Sequence, residues 1–188
     1  MASKTGPQIT IARKSGSAAL AKRMAGLTKL AAYVGVPAAG KDARSKQLLK
    51  MAGTTNSAKK KTYLTKAATS DINNAELLFI QENGSPAKGI PARKVLKPSI
   101  EADGNRQAIS NEISKSIKST LGGDKEGAEK NMLRAALAGQ NAARKWFTDG
   151  RNGWQKNADS TIARKGSDRP LIDTGALRAS IVGVVREE

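Results

Sequence analysis

Leu171-Ile172-Asp173-Thr174-Gly175-Ala176 is the segment whose residue types come nearest to a reaction centre. Aspartic proteases use Asp-Thr-Gly turns of this composition, two loops bringing paired carboxylates together so that they share one proton. The rest of the chain does not supply what that chemistry needs. No second Asp-Thr-Gly occurs, so only a homodimer could provide the partner carboxylate. The sequence stops at Glu188, before the run of strands that a protease cleft requires, and the motif stands without its context. The ordinary use of Asp173 and Thr174 is structural: both are good N-cap residues for a single turn through Ala176-Leu177-Arg178.

Other chemistries are excluded by composition. The chain has no Cys and no His, which removes thiol nucleophiles, disulfides, most zinc sites and imidazole bases together. Carboxylate or lysine mechanisms and oxygen-ligand metals such as magnesium remain, but no constellation points to them. No residue is therefore assigned a catalytic, cofactor-binding or metal-ligating role, and no cofactor is expected.

Charge is the next signal. The net charge is +17, yet residues 1–66 hold fourteen Lys or Arg against the single acid Asp42, so +13 lies in the first third and +4 in the rest. Such a region is either a solvated basic face or an electrostatic contact with DNA or with an acidic protein surface. Tyr33 and Tyr63 are its only aromatics, and no base-reading motif is present. Non-specific contact with DNA or an acidic partner suits it better than sequence-specific binding. Lys59, Lys60 and Lys61 are the expected basic contact surface.

The elements that position these residues follow from periodicity. The length suits one domain with an arm: residues 1–14 as a flexible N-terminal arm and 15–188 as a single α+β domain. Aromatics make up only 3% of the chain, so the core must be built largely from Ala, Ile, Leu and Val, and a chain so built leans on neighbouring subunits. Ser15 and Ser17 offer caps to a helix running to about Leu30, followed by a strand over 32–36 ended by Pro37. Residues 38–66 are polar and lysine-rich, with Gly40 and Gly53, and read as an inserted loop with a short helix near Ser45 to Met51.

Thr69-Ser70-Asp71 starts a helix that Asn83-Gly84 stops. Three prolines then fix the shape of the 85–98 connection, where Ile90, Arg93 and Leu96 are the expected partner or oligomer contacts. Ile109, Ile113, Ile117 and Leu121 mark a helix ended by Gly122-Gly123. Asp124 caps another, whose apolar side (Leu133, Ala136, Leu137, Ala143, Phe147) is interrupted by Gln140. Trp154 is expected either to close over the end of that helix or to stand on the surface at an interface, Asp159 or Ser160 caps a short helix, and 180–185 reads as a strand. The expected fold is a small antiparallel sheet packed against several helices, with a basic inserted loop. No segment has the apolar length of a signal peptide or a membrane span, so a soluble protein made in the cytoplasm is expected.

Three segments in order carry a resemblance: Tyr33-Val-Gly-Val-Pro37; Asn74 to Pro86 running into Ile90-Pro-Ala-Arg-Lys-Val-Leu-Lys-Pro98; and Pro170 to Ile181. Together they resemble the virion morphogenesis, or tail-completion, proteins of long-tailed bacteriophages, over most of the chain from about residue 18. The family often has Pro and an aromatic where this chain has Lys94 and Val95. The resemblance implies an α+β subunit of a hexameric ring, at the neck joining head to tail or at the head-proximal end of the tail tube, in contact with neighbouring neck or tail-tube proteins. It implies no catalysis and a place in the virion. The rival from another class is a basic DNA-binding or DNA-condensing protein.

Overall fold

Along residues 125–146 the small and apolar residues Ala128, Met132, Ala135, Ala136, Gly139, Ala142, Ala143 and Trp146 recur at three- and four-residue spacing, and all are buried. This stripe is the inner face of α7 (Lys125–Trp146), the longest of nine α-helices among the residues that the computed structural model describes, 14–27, 29–38 and 41–187. Asp124 caps it by accepting from Gly127 N at 2.8 Å, as its sequence position predicts. Antiparallel strands β1 (Leu30–Gly35) and β2 (Val182–Glu187) lie across α7, with Tyr33 opposite Val184. The fold is α+β, a two-stranded antiparallel sheet packed against helices.

Small residues make the crossing close. A Cβ at Gly183 would overlap Ala136 O, and one at Gly139 would stand 2.7 Å from Val34 Cγ2. Gln140, the polar break in the apolar side of α7, accepts from Gly183 N at 2.9 Å and so fastens β2 to the helix. Arg144 adds Nε to Ile181 O at 3.0 Å and Nη2 to Ala179 O at 2.9 Å, and Arg178 Nε returns a bond to Arg144 O at 2.9 Å.

On another flank, α6 (Asn105–Gly122) runs back along α7 after the left-handed Gly123, and buried Ser116 donates to Ala128 O at 2.7 Å. Helix α1 (Lys14–Leu27) rests on α6, where Arg23 Nη1 donates to Leu121 O at 3.0 Å. Because α1 already begins at Lys14, Ser15 and Ser17 lie inside the helix rather than capping it. The N-terminal arm assigned to 1–14 falls, apart from Lys14, outside the described residues.

The last turn of α7 gathers the main core: Leu78 of α4 (Asn74–Asn83), Val95, Ala143, Trp146, Phe147, Leu177 of α9 (Ala176–Ser180) and Ile181. Trp154 does fold over this end, edge-on to Phe147 at 5.8 Å, with Nε1 donating to Lys94 O at 3.1 Å. Helix α4 starts later than Thr69-Ser70-Asp71 suggests, because Asn73 and Glu76 form a reciprocal capping box. It ends at Gly84, φ 74°, where a Cβ would lie 2.8 Å from both Ala92 N and Ile90 O. Helix α5 (Leu96–Glu101) is held by Glu82, whose Oε1 accepts from Val95 N and Leu96 N at 2.7 Å each.

The inserted loop expected over 38–66 is instead a helical hairpin, α2 (Lys41–Thr54) and α3 (Ala58–Ala68). Lysine, alanine and glutamine are good helix formers. Leu48, Ala52, Leu64 and Ala68, with Ala176, give the pair a thin buried seam of its own. Gly53 is tolerated inside α2, and Ser57 starts α3 by accepting from Lys60 N. Among the described residues no helix is long and apolar enough to cross a membrane.

Candidate binding cavity

The hairpin, α4 and the C-terminal loop enclose a cavity of about 260 Å³. Each element delivers its polar groups for a local reason. Arg44 comes from α2 and Tyr63 from α3, each near a residue of the thin seam, and Gln81 from the last turn of α4. Helix α8 (Asp159–Lys165) places Arg164 and Lys165 side by side in its final turn, before the left-handed Gly166. Arg93 arrives from the proline-fixed connection, and Asp173 and Thr174 from the turn before α9. Leu48, Leu77 and Leu171 make up the apolar part of the wall.

Asp173 is thus a cavity residue. The expected cap fails because α9 begins after left-handed Gly175, with no side-chain bond from its N-cap position. Thr174 supplies the nearest substitute, its Oγ1 accepting from Ala176 N at 3.1 Å. Asp173 instead faces Tyr63, whose phenol pKa is raised from 10.0 by burial first and by that carboxylate second. Arg164 lies over the Tyr63 ring, 6.0 Å from its centroid. Asp173 is the one acid on the wall, and among the described residues no cluster of acids offers a metal site.

Arg93, expected to face a partner, is turned inward and only 8% exposed. Its Nε and Nη2 donate to Gln155 O at 3.3 and 3.1 Å, and Nη2 also reaches Lys156 O at 3.4 Å and Asn157 Oδ1 at 3.5 Å. The role of surface anchor does not fit such a position: the guanidinium holds the 155–157 segment of its own chain. Burial lowers its pKa from the usual arginine value. The Lys165 ammonium is lowered too, first by burial and then by Arg93 and Arg164, with Asp173 and Asp168 opposing, while it donates to Arg169 O at 2.8 Å. Gln81 Oε1 is buried with no hydrogen-bond partner.

Of the other expected contacts, Ile90 is half-buried and bridged to Ser85, with Ser85 N donating to Ile90 O at 2.8 Å. Leu96 is half-buried against the main core. The 85–98 connection is thus largely occupied by its own fold. Lys59, Lys60 and Lys61 are exposed on the first turn of α3. The structure brings none of these onto the cavity wall except Arg93.

Sequence reasoning named Ile117, Leu133 and Leu137 only as apolar faces of helices and did not single out which apolar groups stay exposed. Phe79 on α4 is 69% exposed and stands with Ile72, Ala75 and Ile80 around a shallow apolar depression. Leu133 and Leu137 on α7 and Ile117 on α6 form a second exposed set. Phe79 differs from the buried Leu78 by one position, and only the seating of α4 decides which of two adjacent apolar residues faces out. Comparison of the chain with family models, curated proteins and solved structures finds no match.

Proposed function

We propose that the chain is a structural virion protein, a ring subunit that completes a bacteriophage tail or joins tail to head. The ordered motifs at 33–37, 74–98 and 170–181 supply the class. The observation that carries the assembly is the exposure of large apolar side chains at two separate places, Phe79 on α4 and Leu133 and Leu137 on α7. α4 meets α7 at its final turn through Leu78 and Phe147, whereas Leu133 lies roughly 20 Å away along the helix at 1.5 Å per residue. A head-to-tail ring needs two unlike, complementary faces on each subunit, and closes when the rotation per copy fits. A monomer gains nothing by exposing Phe79.

The test is assembly in solution. Light scattering and negative-stain imaging should show closed, hexameric rings. Phe79→Glu and Leu137→Glu should each abolish them, and mixing the two variants should restore dimers alone, since each retains the opposite intact face. Rings that survive Phe79→Glu, or a native chain that stays monomeric at every concentration, overturn the reading.

A DNA-binding role has one observation in its favour, the lysine-rich hairpin with Lys59, Lys60 and Lys61 exposed. It requires tight binding by the monomer that falls steeply between two salt concentrations. Within a ring, the same face would meet an acidic neighbouring ring or touch packaged DNA.

A further inference from the structure

The cavity wall sets Arg44, Arg93, Arg164 and Lys165 against the single carboxylate of Asp173. None of the four cations forms an ion pair among the described residues. Arg93 is the most telling. It is buried, its hydrogen bonds go to two backbone carbonyls and one amide oxygen, and its Nη1 makes none. A buried guanidinium without a counter-ion is costly, and an incoming anion repays that cost. Asp173 supplies one negative charge against these four positive ones, so the wall keeps a net positive excess.

We propose that this cavity is a carboxylate-binding site that receives an acidic side chain of a partner protein. The size selects the occupant: about 260 Å³ admits one side chain but not a nucleic-acid backbone. Chemistry selects further. Planar guanidinium forks match a carboxylate through paired hydrogen bonds, and the apolar wall of Leu48, Leu77 and Leu171 suits the methylene stem of a glutamate. The source of the carboxylate rests on the reading of the chain as an assembly subunit. It also gives the basic hairpin a second use, since α2 and α3 form one side of the entrance.

Calorimetric titration of the full chain tests this with four probes: glutarate, a short capped peptide with a central glutamate, its glutamine counterpart, and inorganic phosphate, all at matched ionic strength. Glutarate and the glutamate peptide should bind and compete, and the glutamine peptide should not. Arg164→Gln, at an exposed residue whose loss leaves the fold intact, should weaken glutarate about tenfold, as should Arg44→Gln, whereas Lys60→Gln should change nothing. Phosphate binding as tightly as glutarate, or unaltered affinity in both arginine variants, overturns the site. Glutarate binding without peptide binding overturns the side-chain source. Rings that form without glutarate binding sink this inference alone, while a glutarate-binding monomer sinks the ring reading alone.

Discussion

The two buried clusters of this chain are built to different standards. Around the last turn of α7, Leu78, Val95, Trp146, Phe147, Leu177 and Ile181 interlock large side chains from four stretches of sequence. In the α2–α3 hairpin, Leu48 and Leu64 are the only large buried side chains among the described residues, and alanines complete the seam. The first cluster is sufficient to define the domain; the second barely holds two helices together, and it carries one wall of the cavity. One of the binding groups, Arg44, is thus positioned by the weaker half, where local opening costs least.

The largest effect should come from the strong cluster. Trp146→Ala should cost about 3–5 kcal/mol and lower the denaturant midpoint of the whole domain; loss of exchange protection confined to the neighbours of Trp146 would break the contrast. Leu64→Ala in the hairpin should cost less, about 2–3 kcal/mol, because a thin seam can collapse around the deletion. Hydrogen exchange should show protection lost over 41–68 and kept in α7. Glu82→Ala, which frees the Val95 and Leu96 amides, should cost about 2 kcal/mol and, unlike Leu64→Ala, should leave the hairpin protected. Phe79→Glu should alter monomer stability by no more than about 0.5 kcal/mol while abolishing assembly. A fall in the unfolding midpoint would show Phe79 to be part of the core.

The finest distinction concerns Tyr63. In a Tyr33→Phe background its phenol should titrate above 10.0, and Asp173→Asn should bring it part of the way down, leaving the contribution of burial. The sign follows from charge: a neighbouring carboxylate and desolvation both disfavour phenolate. The stability linked to this raised pKa is present below the unfolded value and is lost as pH rises through the folded one.

The same contrast explains what could be read from the sequence. Helices α6 and α7 announce themselves by long apolar periodicity and glycine or aspartate punctuation, and the two strands by β-branched runs. The hairpin does not, since each of its helices buries only a few apolar side chains on a lysine-rich background that resembles a solvated loop. The cavity is less legible still. Arg44, Arg93, Arg164 and Asp173 come from four separate stretches, and nothing in their spacing brings them to one wall. Gln140 was visible as an interruption on an apolar face, but its purpose appears only with the Gly183 amide opposite.

The crossing of β2 over α7 has a consequence in time as well as space. A register shift of one residue would put a valine where Gly183 passes Ala136, so the helix backbone acts as a gauge that accepts a single alignment. That alignment joins Tyr33 to Val184, nearly the full span of the described chain. At ordinary synthesis rates β1 waits roughly 8–30 s for its partner. Until then Val34 and the alanine face of α7 lie uncovered, so the arrival of β2 completes packing that every earlier element leaves open.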